Sequence, residues 1–144
     1  MENFSKRLTE LRKEKNLTQQ QVADYFKWNL KTYKNYEQGK NFPKMPAFIL
    51  LAEFFNVSLD YLAGNSDLHT PYTNPCLETL PNHLIQLRRD SGMTKTNIAQ
   101  HLDITKSGYK RYESGRSIPP LNRLIALADL FGVSLDELVG FDKR

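Results

Sequence analysis

The sequence predicts an all-α protein built as two tandem five-helix domains, on three observations. Residues 8–64 and 84–140 are one unit written twice, at a fixed offset of 76 with no gap, and 21 of the 57 aligned pairs are identical. Apolar residues recur at spacings of three and four, with no convincing alternation of the strand type. Ser, Thr or Asn precedes most of these runs and Gly or Asn follows several, as helix ends require. A repeat this long means two copies of one small domain, not a solenoid of short units.

The elements follow in order. Phe4, Leu8 and Leu11 give a first helix an apolar stripe, and Leu80, Leu84 and Leu87 do the same in the second copy. Asn16 or Gly92 ends it. Thr18-Gln19-Gln20-Gln21 has the spacing of a capping box opening a second helix, with Val22, Ala23 and Phe26 inward; Thr94, Ile98, Ala99 and Leu102 repeat the pattern. A third helix is capped by Asn29 or Thr105 and runs to Gly39 or Gly115, beyond which Pro43 and Pro119 mark a loop. Phe48, Leu51, Ala52 and Phe55 form the inner stripe of a fourth helix, matched by Leu124, Leu127, Ala128 and Phe131. Ser58 and Ser134 cap a short fifth helix, with Asp60 and Asp136 in the first turn, where the helix dipole favours acids.

The domains span 1–66 (core 8–62) and 80–144 (core 84–138). Residues 67–79 form a linker, within a proline-bearing stretch of little periodicity from Asn65 to Thr79. Fifteen free residues extend to about 50 Å and have a typical end separation of roughly 21 Å. Pro81 suits the first turn of the second copy's opening helix.

Composition narrows the function. The net charge is +4, from 20 basic and 16 acidic residues, and each copy carries ten basic against eight acidic. That excess is too mild to hold a polyanion by itself, so any such binding depends on where the charges sit. The start has basic residues but no apolar run behind them, so no secretory signal is expected. The longest apolar run, Ala47 to Ala52, falls far short of the ~20 residues that cross a bilayer. One cysteine, Cys76, forms no intrachain disulfide and points to a reducing, cytoplasmic home. His69, His83 and His101 lack metal-ligand spacing, and no phosphate loop, carboxylate pair or nucleophile–histidine arrangement stands out. The expectation is a non-enzyme with no cofactor, no metal, no membrane and no evident small-molecule ligand.

The second helix, tight turn and third helix resemble the phage-repressor and Cro-type helix-turn-helix family, also called the XRE family. The residues that carry the resemblance are Leu17-Thr18-Gln19-x-x-Val22-Ala23, Tyr33-x-x-Tyr36-Glu37-x-Gly39-Lys40-x-x-Pro43 and Leu51 through Leu62. Met93-Thr94-Lys95-x-x-Ile98-Ala99, Tyr109-x-x-Tyr112-Glu113-x-Gly115-Arg116-x-x-Pro119 and Leu127 through Leu138 carry it again. The sequence departs from the family at the turn, where glycine is usual and Lys27 and Asp103 stand. Trp28 replaces a small aliphatic residue, and Gly108 lies inside the second copy's third helix.

The resemblance implies double-stranded DNA as partner, with the third helix in the major groove and the second across the backbone. Position by position, the reading face is Asn29, Leu30, Lys31, Thr32, Lys34 and Asn35 in the first copy. It is Thr105, Lys106, Ser107, Gly108, Lys110 and Arg111 in the second. Gln19, Lys95, Lys40 and Arg116 are the implied phosphate contacts. The faces differ, so the copies should prefer different half-sites, and the linker reaches sites one turn (34–36 Å) apart. Arg12 with Glu37 and Arg88 with Glu113 are implied to be structural ion pairs tying the first helix to the third. Tyr33, Tyr36, Tyr109 and Tyr112 are expected in the core, and Trp28 as a plug in the turn.

The implied role is a sequence-specific transcriptional regulator, by default a repressor, of bacterial or phage origin, cytoplasmic and nucleoid-associated. The alternative is a protein-interaction module of antitoxin or anti-repressor type in which one or both copies no longer read DNA. It would be favoured if Leu59, Leu62, Val139 and Phe141 were exposed as a homodimer face around the fifth helices. Sequence-independent DNA coating is a third reading, which the modest charge argues against.

Overall fold

The computed structural model describes residues 2–140. The chain forms two compact units, Met1–Tyr72 and Thr73–Arg144. The first contains α1 (Glu2–Glu14), α2 (Gln19–Phe26), α3 (Leu30–Gln38), α4 (Met45–Phe55) and α5 (Leu59–Leu62). The second opens with a single 3-10 turn, Leu77–Thr79, and continues with α6 (Leu80–Ser91), α7 (Lys95–Leu102), α8 (Lys106–Glu113), α9 (Leu121–Phe131) and α10 (Leu135–Val139). The fold is all-α, as the periodicity predicts.

Each unit closes around its apolar stripes. In the first, Phe4, Leu8, Val22, Tyr33, Phe48, Leu51, Leu59 and Leu62 are fully or almost fully buried. In the second, Leu84, Ile98, Tyr109, Leu124, Leu127, Leu135 and Leu138 take the same places. The third helix of each unit packs on both the first and the second, so one face is fixed inward and the opposite face is left to solvent. Some residues expected inward are only half-buried: Phe26, Leu102 and Phe131 are the last residues of their helices, and Leu87 lies within α6.

The helix ends explain much of the glycine and asparagine usage. Asn16 and Asn56 adopt left-handed backbone at φ 56° and 52°, where the second copy has Gly92 and Gly132 at φ 71° and 68°. Asparagine tolerates this region better than most residues, so the two are interchangeable there. Gly64 and Gly140 meet a second demand. A Cβ on Gly64 would lie 2.3 Å from the Cβ of Asn3, and one on Gly140 would lie 2.6 Å from the His83 ring and 2.7 Å from the Thr79 hydroxyl. These glycines let the chain leaving the fifth helix pass directly over the start of the first helix of its unit. Gly115, at φ 78°, lies one residue past the α8 cap, which is Ser114.

The stretch expected to be free linker is held on both sides. Arg7 donates through Nη1 to the carbonyls of Tyr61 and Ser66 at 2.9 and 3.2 Å, and its Nη2 pairs with Asp67 at 3.3 Å. The Ser58 amide donates to the Thr70 carbonyl at 2.9 Å, and the Tyr72 amide to Asn56 Oδ1 at 3.2 Å. In the second unit Thr73 Oγ1 donates to Asp136 Oδ1 at 2.8 Å and Thr79 Oγ1 to the Val139 carbonyl at 3.1 Å. Fifteen free residues therefore overstate the slack, because side-chain and backbone hydrogen bonds anchor much of the stretch. The 3-10 turn at Leu77–Thr79 adds to this anchoring and left no periodic signal in so short a run.

Candidate nucleic-acid interface

The second and third helices are joined the same way in both units. Thr18 Oγ1 accepts from the Gln21 amide at 3.1 Å while Gln21 Oε1 accepts from the Thr18 amide at 2.8 Å, completing the capping box. Thr94 and Asn97 form the same reciprocal pair at 3.0 and 3.1 Å. The turn is made at Lys27 (φ 59°, ψ 35°) and Asp103 (φ 56°, ψ 46°), both left-handed without being glycine. The Trp28 and Ile104 amides then donate back to Ala23 and Ala99 at 2.9 and 3.0 Å, which fixes the angle of the third helix. The departures from glycine keep the turn and place a side chain in strained backbone.

Trp28 is half-buried, stacked on Phe26 at 4.4 Å and edge-on to Tyr36 at 5.9 Å. It fills the turn, and Ile104 fills it with less area in the second unit. Asn29 and Thr105 act as caps: Asn29 Oδ1 accepts from the Lys31 amide at 2.8 Å and Thr105 Oγ1 from the Gly108 amide at 3.0 Å. Both residues remain exposed.

Behind each third helix lies an ion pair. Arg12 reaches Glu37 through Nε at 2.7 Å and Nη2 at 3.0 Å, and Arg88 reaches Glu113 at 2.7 and 3.2 Å. Arg12 Nη1 also donates to the Leu17 carbonyl at 2.9 Å, so the first helix, the following turn and α3 are bound by one guanidinium. Glu37 accepts two further bonds, from Thr9 Oγ1 at 3.2 Å and Gln19 Nε2 at 3.1 Å. Its counterpart has Ile85 and Lys95 at those positions and accepts neither. Burial pushes the Glu37 carboxyl up, but hydrogen bonds from Arg12 and its neighbours more than offset it and hold it below the ordinary value. The same pairing raises Arg12 and Arg88. Both pairs are enclosed, with the glutamates 4% and 5% exposed, and they fasten the helix whose other face is open.

Tyr33 and Tyr109 belong to the core, with hydroxyls that lie beside the same carboxylates without a well-formed hydrogen bond. Burial, then the adjacent Glu37 or Glu113 charge, pushes both phenols well above their ordinary range. Tyr112 is buried and Tyr36 half-buried. Tyr112 Oη accepts from Arg123 Nη1 at 2.8 Å, a bond that sequence spacing does not announce.

The outer face holds the expected reading residues. Lys31 and Lys34 are exposed in the first unit, with Leu30, Thr32 and Asn35 half-buried beside them. Lys106, Ser107, Lys110 and Arg111 are exposed in the second, and Gly108 is half-buried at the flank. Lys40 and Arg116 are exposed just beyond each helix. Among the described residues the ion pairs are those of Arg7, Arg12 and Arg88, and none takes a cation of these two faces.

Gln19, expected at a phosphate, also donates its side-chain amide to the buried Glu37 carboxylate from the first turn of α2. One expectation is corrected. Leu59, Leu62 and Val139, offered as a homodimer face, are fully buried in their own units, since the fifth helices need them to close the core. Phe141 lies outside the described residues.

A capped second helix, a left-handed tight turn and a third helix with one buried and one cationic face define a helix-turn-helix protein, here in two tandem copies. Two helix-turn-helix family profiles match, one over residues 5–68 and the other over residues 84–138. The chain belongs to the helix-turn-helix family of XRE type. It is 39% identical over 61 residues to the cryptic phage CTXphi transcriptional repressor RstR of Vibrio cholerae, a match covering 42% of this chain and 54% of that protein. It is 43% identical over 63 residues to the HTH-type transcriptional regulator AnsR of Bacillus subtilis, covering 44% and 54%. With the HTH-type transcriptional regulator ImmR of Bacillus subtilis it shares 28% identity over 88 residues, 61% of this chain and 69% of that one. The chain spans about half the length of the first two relatives. No solved structure matches it.

Proposed function

We propose that the protein is a sequence-specific double-stranded-DNA-binding transcriptional regulator that represses by occupying a promoter. The observation that carries this is the pair of unmatched cationic faces on α3 and α8, each held outward by a buried Arg–Glu pair. The relatives named as transcriptional repressors and regulators support it. Lys31, Lys34 and Asn35 would meet base edges in one half-site, with Leu30 against a thymine methyl. Lys106, Ser107 and Arg111 would do so in the other, where Lys106 and Arg111 suit guanine O6 and N7. Lys40, Lys95, Lys110 and Arg116 would take phosphates, as would the first-turn amides of α2 and α7. Thr32 and Gly108 flank the two faces, and Asn29 and Thr105 set where each helix begins.

Because the two faces are unlike, the site is two different half-sites and needs no palindrome. Tethering two weak readers raises their effective concentration at one site. No described helix is long and apolar enough to cross a membrane, and the reading is of a cytoplasmic protein without catalytic activity. The interaction-module alternative loses its main support with the burial of Leu59, Leu62 and Val139.

The test is selection from random duplex DNA by the intact chain, repeated with Lys106, Lys110 and Arg111 changed to alanine. A two-part motif that loses one half in the variant supports the reading. No enriched motif at low salt rejects it.

A further inference from the structure

The second reading head differs from the first in one bond that the fold does not require. Arg111 Nε donates to Ser117 Oγ at 3.2 Å, across the end of α8 and the loop that follows. The serine is not placed there by chance packing. The amides of Arg116 and Ser117 both donate to the Arg111 carbonyl, at 3.0 and 3.2 Å, so the loop is folded back on the backbone of the arginine it serves. Two residues further on, Pro119 is buried and anchors the loop. In the first unit the matching residues are Asn35 and Asn41; the loop folds back the same way, with both the Lys40 and Asn41 amides donating to the Asn35 carbonyl at 3.0 and 3.4 Å, but no guanidinium is present.

We propose that Ser117 is a positioning residue for Arg111, which sets the specificity of the second half-site for guanine. This rests on the DNA-reading function above. A guanidinium has five N–H donors in a rigid planar fork. With Nε committed to Ser117, the sideways approach that pairs Nε with one terminal nitrogen is closed. The two terminal nitrogens are left pointing forward, and two parallel bonds from them match O6 and N7 of one guanine. A free arginine on an exposed helix also loses much rotamer freedom on docking. Holding it beforehand reduces that loss for the base that takes the fork, and does little for a phosphate, which accepts a cation from many directions.

The experiment compares the intact wild type with Ser117→Ala, Ser117→Thr, Arg111→Ala and the double variant Ser117→Ala/Arg111→Ala, on the duplex that the wild type selects. Every single-base replacement in the second half-site is measured, together with unrelated duplex DNA. Ser117→Ala is expected to lower discrimination for one G·C pair by about three- to tenfold, the scale of one hydrogen bond. Affinity for unrelated DNA and its salt dependence should stay at wild-type values. Ser117→Thr, which keeps the hydroxyl, should restore the discrimination. In the Arg111→Ala background, Ser117→Ala should change nothing further. Equal discrimination in wild type and Ser117→Ala overturns the inference, and so does an effect that persists without Arg111. A wild type that selects no motif would instead reject the DNA-reading function itself, so the two failures are distinct.

Discussion

Gln19 Nε2 donates to Glu37 Oε1 at 3.1 Å, whereas position 95, the same place in the second unit, is a lysine and makes no such bond to Glu113. One position in the repeat has thus become a structural donor in one copy and an available cation in the other. With Thr9, it gives Glu37 four donated bonds where Glu113 receives two from Arg88. The first unit is tied more tightly behind α3, and the second carries more charge on its outer face.

Replacing Glu37 by glutamine is expected to destabilise the first unit by about 3 kcal/mol, the scale for breaking an enclosed pair while one charge stays behind. Glu113→Gln should affect the second unit less, because fewer donors lose their acceptor. The chain has a single tryptophan, Trp28, so denaturation followed by tryptophan fluorescence reports the first unit by itself. An unchanged midpoint in Glu37→Gln would contradict the structural role.

The same carboxylate gives a pH dependence with a definite sign. The Glu37 carboxyl is held below its ordinary value in the folded chain. Its contribution is therefore fully present above the unfolded carboxylate range, about 4.3, and is lost as pH falls through the lower folded value. Urea titrations read by Trp28 should show stability dropping below about pH 4.5 in wild type, and dropping less steeply in Glu37→Gln. At the alkaline end the sign reverses. Tyr33 and Tyr109 are held neutral, chiefly by burial, and burial with the Glu53 charge pushes Tyr72 up to about 12. Stability from these phenols is present below the unfolded value near 10 and falls as pH rises above it.

Much of this architecture is legible in the chain. The caps at Thr18, Asn29, Thr94 and Thr105 and the apolar stripes of the first, second and fourth helix pairs can be read because each rests on local spacing. The Arg–Glu ties needed the family resemblance, since 25 residues separate the partners. Thr9 and Gln19 as donors to Glu37 could not be read, because a hydroxyl or amide gives the same sequence signal whether it faces solvent or a buried carboxylate. Ser117 escaped for the same reason. The fifth helices misled because four or five residues carry too few positions to show which face is inward. Leu59, Leu62 and Val139 look like a stripe that could serve a core or a partner equally well.

The left-handed turn residues give a stabilising change. Lys27→Gly should raise the stability of the first unit by about 0.5–1 kcal/mol, because a Cβ at positive φ is strained and glycine's own entropy loss offsets part of the gain. Asp103→Gly should gain less, since aspartate visits this region more readily than lysine. A lower midpoint in Lys27→Gly, with the Trp28 signal otherwise intact, would mean that the lysine stem packs usefully on the turn.

The glycines divide by what surrounds them. Gly132→Asn should be nearly neutral, because Asn56 occupies that place in the first unit and a Cβ on Gly132 meets nothing within 4 Å. Gly140→Ala should instead cost the second unit 2 kcal/mol or more, on the order expected when strained backbone and overpacking coincide. Differential scanning calorimetry of both variants decides it, and equal losses would refute the close approach to Thr79 and His83.

Position 19 and position 95 should part company in a single comparison. Gln19→Ala removes a donor from a buried carboxylate and is expected to lower stability by about 1 kcal/mol, with little change in affinity for the selected duplex. Lys95→Ala leaves the fold intact and removes one cation from the first turn of α7. Its binding should weaken almost equally on specific and unrelated DNA, and the slope of log affinity against log salt should become shallower by about one. Titrations at four salt concentrations, alongside thermal unfolding of the same preparations, separate the two. If Lys95→Ala keeps the wild-type slope, the second helix of the second unit does not meet the DNA backbone, and its lysine is only a solvated surface charge.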